Sequence, residues 1–170
     1  LTTDLLLVVH DSDLADGNCF DEGATVTVDI VMGAGSEVVI GGQFLLNYDP
    51  SCLAYEGIAG SAIFPMLIYE DASAGQVFAA VGVAPGGAGT QGPDVMATAT
   101  FTKLGDCGEC DICFGDENPQ NTILTNDEGN SVPIAPSCSK LIRLNGDITL
   151  TAPYNFSVNP DCDMPTAIIT

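Results

Sequence analysis

The chain has 170 residues, of which 46% are hydrophobic and 15% charged, enough apolar material for one buried core and too much for a disordered acidic tail. Its charge is one-sided, 23 acids against 3 bases, for a formal net charge of −20. Such a molecule repels nucleic acid and anionic lipid, which excludes nucleic acid as a partner, and it gains stability from salt or bound Ca²⁺.

No apolar run reaches the roughly 18 residues that a membrane helix needs, so membrane insertion is not expected. The chain starts at Leu1 without a charged and apolar leader. That reads as a processed secreted chain or a piece of a larger one. Seven cysteines with only three bases suit an oxidising exterior, so an extracellular or cell-surface location is expected.

In chain order, Leu5–Val9 is the first predicted strand. "TVTVDIVM" (Thr25–Met32) alternates with period two, as a strand with one wet face does. "GGQFLLNYD" puts Phe44, Leu46 and Tyr48 on one face. Strands are expected next at Leu53–Ile58, Ile63–Tyr69 and Gln76–Val83. In "DVMATATFTK" (Asp94–Lys103), Val95, Ala97, Ala99 and Phe101 share a face, with Met96, Thr98, Thr100 and Thr102 opposite. Asp111–Phe114, Lys140–Leu144 and Ile148–Leu150 complete the set. Gly, Asn and Pro clusters such as "YDPS", "APGGAGTQGP" and "NDEGN" separate the strands, and no helical stripe appears. About nine short strands predict an all-β fold, a two-sheet antiparallel jelly-roll sandwich over residues 1–150. Residues 151–170, rich in proline and ending in "TAIIT", read as an extended tail, a linker or a donor strand.

The candidate chemistry is sparse. His10 is the one histidine, and no G-x-S-x-G elbow presents a serine to it, so it reads as a strand-end residue and the protein as a non-enzyme. Acid pairs for glycoside hydrolysis are expected by chance among 23 acids, and no tryptophan lines a sugar subsite. "CGECDICF" (Cys107–Phe114) lacks the second close pair of a zinc site, the continuation of an iron–sulfur motif and the helix of a redox C-x-x-C. Structural disulfides remain: Cys19, Cys52, Cys107, Cys110, Cys113 and Cys138 form an even set, with fifteen pairings open, and Cys162 is odd. "HDSDLADGNCFDE" gathers Asp11, Asp13, Asp16, Asp21 and Glu22. It fails as an EF-hand, because Ala15 takes a ligand position and Gly17 comes one place late. As a cluster of hard oxygens it is the candidate calcium site, and Ca²⁺ the one candidate cofactor.

"GGQFLLNYDPSCLAYEGIAG", with its Tyr-Asp-Pro corner, resembles the third and fourth strands of cohesin domains. "TVTVDIVMGAG" is similar to the cohesin second strand, "GQVFAAVGVA" and "GPDVMATATFTKLG" to its central strands, and "NTILTNDEGNSVPI" to its late hairpin. The resemblance runs from about Leu5 to Leu144 and implies a sandwich that binds another protein. "NGDITLTAPYNFSVNPDCDMPTAIIT" resembles the start of a HYR-type immunoglobulin-like repeat, in which the counterpart of Cys162 pairs with a later cysteine that this chain lacks.

The expected function is therefore a non-catalytic extracellular structural or adhesive module. Its partner is another protein, including a copy of itself, and Thr166, Ala167, Ile168 and Ile169 would add a strand to a neighbour's sheet and build fibres. The alternative is a carbohydrate-binding module, against which the absence of tryptophan counts.

Overall fold

Period-two alternation over most of the chain leaves one course open to the apolar residues, which is to meet between two sheets. The computed structural model describes residues 2–11, 22–104, 109–117, 120–136, 141–143, 149–150, 156–158 and 167–169. Among them there is no helix. The long strands are β1 (Thr3–Asp11), β2 (Thr25–Met32), β3 (Val39–Tyr48), β4 (Leu53–Gly60), β5 (Met66–Ser73), β6 (Gln76–Gly82) and β7 (Asp94–Lys103). Shorter ones follow: β8 (Glu109–Phe114), β9 (Asp116–Glu117), β10 (Gln120–Asn121), β11 (Ile123–Asn126), β12 (Ser131–Val132), β13 (Ile134–Pro136) and β14 (Leu141–Arg143).

One sheet runs β13-β1-β2-β7-β4, and the other runs β12-β11-β3-β6-β5 with β8 also on β3 and β14 on β8. Pairing is antiparallel throughout both sheets except for β13, which lies parallel to β1. The core lies between the sheets. Leu5, Val28, Ile30, Ala99 and Phe101 face Phe44, Leu46, Val77, Val81 and Leu124 across it. The expected all-β sandwich is thus observed, with more strands than nine. The extra ones are two- and three-residue pieces, too short to show a period in the sequence.

Two details differ from the alternation read in the sequence. Val95 is only half-buried, whereas Met96 is fully buried. The cause is a bulge: Ile30 pairs with Ala97 and Val31 with Val95, so Met96 is an extra residue on β7 and the phase flips there. The fifth strand, expected over Ile63–Tyr69, starts at Met66 and continues to Ser73. Phe64 instead turns into the core from the preceding bend, where its amide donates to the Ser61 hydroxyl.

Both corners that carry sequence motifs are built by side chains. Asp49 Oδ1 accepts the Ser51 amide at 2.8 Å and the Ser51 hydroxyl at 2.6 Å, closing the turn from β3 to β4. These bonds, the hydroxyl's first, hold the Asp49 carboxyl below its ordinary pKa. In the β11–β12 hairpin, Asn126 Oδ1 accepts the amides of Glu128 and Asn130, and Gly129 supplies the positive φ of 83° that the turn requires.

Phe101→Ala should cost about 3–5 kcal/mol in urea unfolding, as removal of a buried ring does. The bulge adds a sharper test on adjacent residues. Met96→Ala should cost about 2–5 kcal/mol, while Val95→Thr should change stability by less than about 1 kcal/mol. The reverse ranking would restore the uninterrupted alternation.

Candidate functional site

The side of the β11-β3-β6-β5 sheet that faces away from the core alternates with the core residues. Phe44 and Leu46 point inward on β3, so Gly41, Gln43 and Leu45 point outward. On β6, Val77, Ala79 and Val81 are inward and Phe78, Ala80 and Gly82 outward. Part of this outer face is covered by the β9–β10 hairpin. Gln43 Nε2 donates to the Asn121 carbonyl at 2.8 Å, and Leu45 is buried with Gly115 against its side chain.

The uncovered part is a trough of about 340 Å³, floored by Gly41, Ala80 and Gly82 and bordered by Gln43, Thr125 and Ile68. Glycine makes the floor. A Cβ on Gly82 would come within 3.0 Å of Ile68 Cδ1. Ile68 is itself the extra residue of a bulge, since Leu67 pairs with Val81 and Tyr69 with Ala80. The bulge lays its side chain across the sheet, and it stays 68% exposed. Met66, Leu67, Ile68 and Tyr69 form an exposed apolar row on β5, the edge strand. Tyr69 packs edge-on against Phe78, which fixes one end of the row. Nothing in the sequence flagged this surface, because its floor comes from residues 41 positions apart that only strand pairing brings together.

The residues singled out in the sequence lie elsewhere. His10 Nε2 is 2.7 Å from Asp29 Oδ2, and the Thr98 hydroxyl donates to Asp29 Oδ1 at 2.6 Å. The hydroxyl is thus held by the carboxylate rather than by the imidazole, and base–nucleophile contact of the kind a triad needs is missing from this group. Glu22 is exposed in the turn before β2, and Asp11 ends β1 opposite Val26. Asp13, Asp16 and Asp21 lie outside the described residues, and among the described residues no three acids, cysteines or histidines gather around a metal-sized space. Cys52 is buried just before β4 and is disulfide-bonded. Cys110 and Cys113 lie on β8, opposite Ile142 and Asn47. Cys19, Cys107 and Cys138 are outside the described residues, as is Thr166. Ala167, Ile168 and Ile169 form β17, the last of three short strands with β15 (Thr149–Leu150) and β16 (Phe156–Val158), pairing Ile169 with Phe156.

No protein-family model matches the chain, and no curated protein matches it. Solved structures do. The cohesin module of a family 33 glycoside hydrolase from Clostridium perfringens is 11% identical, with 85% of this chain and 99% of that one covered at a TM-score of 0.66. The sixth cohesin of scaffoldin B from Acetivibrio cellulolyticus, solved in complex with a Cel5 dockerin variant, is 15% identical over 85% and 99% at a TM-score of 0.63. A non-cellulosomal cohesin from the archaeon Archaeoglobus fulgidus is 14% identical over 85% and 91% at a TM-score of 0.59. The fold is that of cohesin domains. Identities this low establish the cohesin-like architecture and leave the surface chemistry to this chain's own residues.

One ionisable group in this cohesin-like sandwich has a shift with consequences for stability. Tyr55, on β4, donates its hydroxyl to Glu70 Oε1 at 2.7 Å, across to β5 of the other sheet. Burial, then this bond, then the Glu70 charge push its pKa well above the ordinary phenol value. The folded chain therefore keeps a proton that the unfolded chain loses above about pH 10. Stability from Tyr55 is complete below that pH and falls as pH rises through it. Absorbance titration should show a tyrosine that ionises only on unfolding, and Tyr55→Phe should remove that late step.

Proposed function

We propose that this chain is a non-catalytic protein-binding module that recognises its partner through the outer face of the β11-β3-β6-β5 sheet. The observation that carries the reading is the exposed apolar group Met66, Ile68 and Tyr69 beside a glycine-floored trough. A sandwich has no internal use for three large apolar side chains exposed together on an edge strand, and such a patch, rimmed by polar groups, suits a protein interface. Two structures of the same fold, from Acetivibrio cellulolyticus and Clostridium thermocellum, are complexes with dockerins, which supports a protein rather than a small molecule as the partner.

The setting we propose is extracellular or at the cell surface, with the cysteines from Cys19 to Cys138 as structural disulfides and Ca²⁺ on the acidic segment from Asp11 to Glu22. Among the described residues no helix is long and apolar enough to cross a membrane. Fibre formation through Thr166–Ile169 is a second reading, supported by the position of β17 at the edge of its small sheet.

Affinity capture with the wild-type chain should retain a stoichiometric protein that Ile68→Glu does not retain, while a glycan array stays blank. Glycan binding that survives Ile68→Glu would overturn the proposal in favour of a carbohydrate module. For the acidic segment, a Ca²⁺ titration should raise the melting temperature beyond the effect of matched ionic strength. No excess shift would leave charge screening alone.

A further inference from the structure

The outer face that holds the trough carries acids towards both of its ends. β3 enters it from Val39, beside Glu37 and the Asp127–Glu128 turn: Asn126 Nδ2 donates to Glu37 Oε2 at 3.2 Å, and the Asp127 amide donates to the Val38 carbonyl at 3.1 Å. At the opposite end of the same face, Gln76 bridges Asn47 and Glu117, and Asp71 stands opposite Phe78. Glu37, Asp71, Glu117, Asp127 and Glu128 are all exposed.

Among the described side chains, no base stands near them. The three basic side chains of the whole sequence are Lys103, Lys140 and Arg143. Lys103 is 1% exposed at the end of β7, and the other two lie beyond β13 in the chain. Among residues whose side chains are described, no lysine or arginine reaches the surface. A second copy of this chain would bring another charge of −20 to this face, and an acidic partner would be repelled in the same way.

Resting on the reading of this face as a protein interface, we infer that its occupant is a basic segment: an aliphatic side chain seated over Gly41 and Gly82 under Ile68, flanked on both sides by lysine or arginine. The aliphatic group supplies a desolvated anchor, and the flanking bases meet the acids towards either end of the face. A volume of about 340 Å³ suits side chains rather than a folded domain.

The test is selection of random peptides on the intact oxidised chain, followed by titration of the winners. Selected peptides should carry an aliphatic residue between bases. Their affinity should fall roughly tenfold or more on Gly82→Val or Ile68→Ser, which leave the charge unchanged. Both variants should fold, since the Cβ added at Gly82 presses only on the flexible end of Ile68 and lies at an ordinary 3.6 Å from the Ile40 carbonyl, and Ile68 is exposed; unchanged circular-dichroism melts check this. Raising NaCl from about 50 to about 300 mM should weaken binding several-fold. The triple change Glu37→Gln, Asp127→Asn, Glu128→Gln should flatten that salt dependence. Peptides sensitive to Gly82→Val but devoid of bases would overturn the basic partner and keep the face. Basic peptides that bind Gly82→Val and Ile68→Ser as tightly as wild type would show unspecific attraction to an acidic protein and overturn the inference. If every winner ignores both variants, the face itself is not the interface and the functional proposal falls with it. Self-association that Ile68→Ser abolishes would assign the face to a second copy and overturn the basic partner as well.

Discussion

The two sheets are joined at one end by a single aromatic contact system around Phe101. Its ring receives the edge of Tyr48, from β3 of one sheet, and the edge of Tyr55, from β4 of the other. Tyr55 then reaches back across the gap to Glu70 on β5. Edge-to-face contacts of this kind have a preferred geometry that aliphatic packing lacks, so they add a directional tie between the sheets at this end. The position of β5, and with it the exposed row and the wall of the trough, is referred to the other sheet through this contact.

The strands were legible in the sequence wherever one face was buried and the other wet. "TVTVDIVM" and "QVFAAVGV" show that plainly, and both form the strands expected. Legibility fails where a strand departs from that condition. All eight residues of β5 are exposed, so the burial contrast that gives an interior strand its period is absent there. Met96 and Ile68 are single-residue bulges, and one extra residue leaves no mark in composition. The parallel register of β13 on β1 joins residues more than a hundred positions apart, beyond any local pattern.

The candidate site is a sharper case of the same limit. Sequence reading looks for side chains that carry chemistry, and it found acids, cysteines and one histidine. The trough is defined by side chains that are missing. Gly41 and Gly82 are ordinary turn-like glycines in the text, and only their pairing across β3 and β6 makes them one floor. The turn motifs, by contrast, were both legible and correct in kind, because Asp49 and Asn126 act on backbone amides within four residues of themselves.

The burial of Lys103 has a consequence for how the molecule meets proteases. Proteases of trypsin type cut only after lysine or arginine, and this chain offers three such bonds. The one after Lys103 follows a strand end whose side chain is out of reach in the folded state. The remaining two, after Lys140 and Arg143, lie past β13, the last strand of the two main sheets except for β14. Among the described side chains, the folded sandwich therefore offers such enzymes no exposed lysine or arginine. A scarcity of bases that sets the surface charge thus also leaves the described part of the sandwich with few places for a common class of protease to cut.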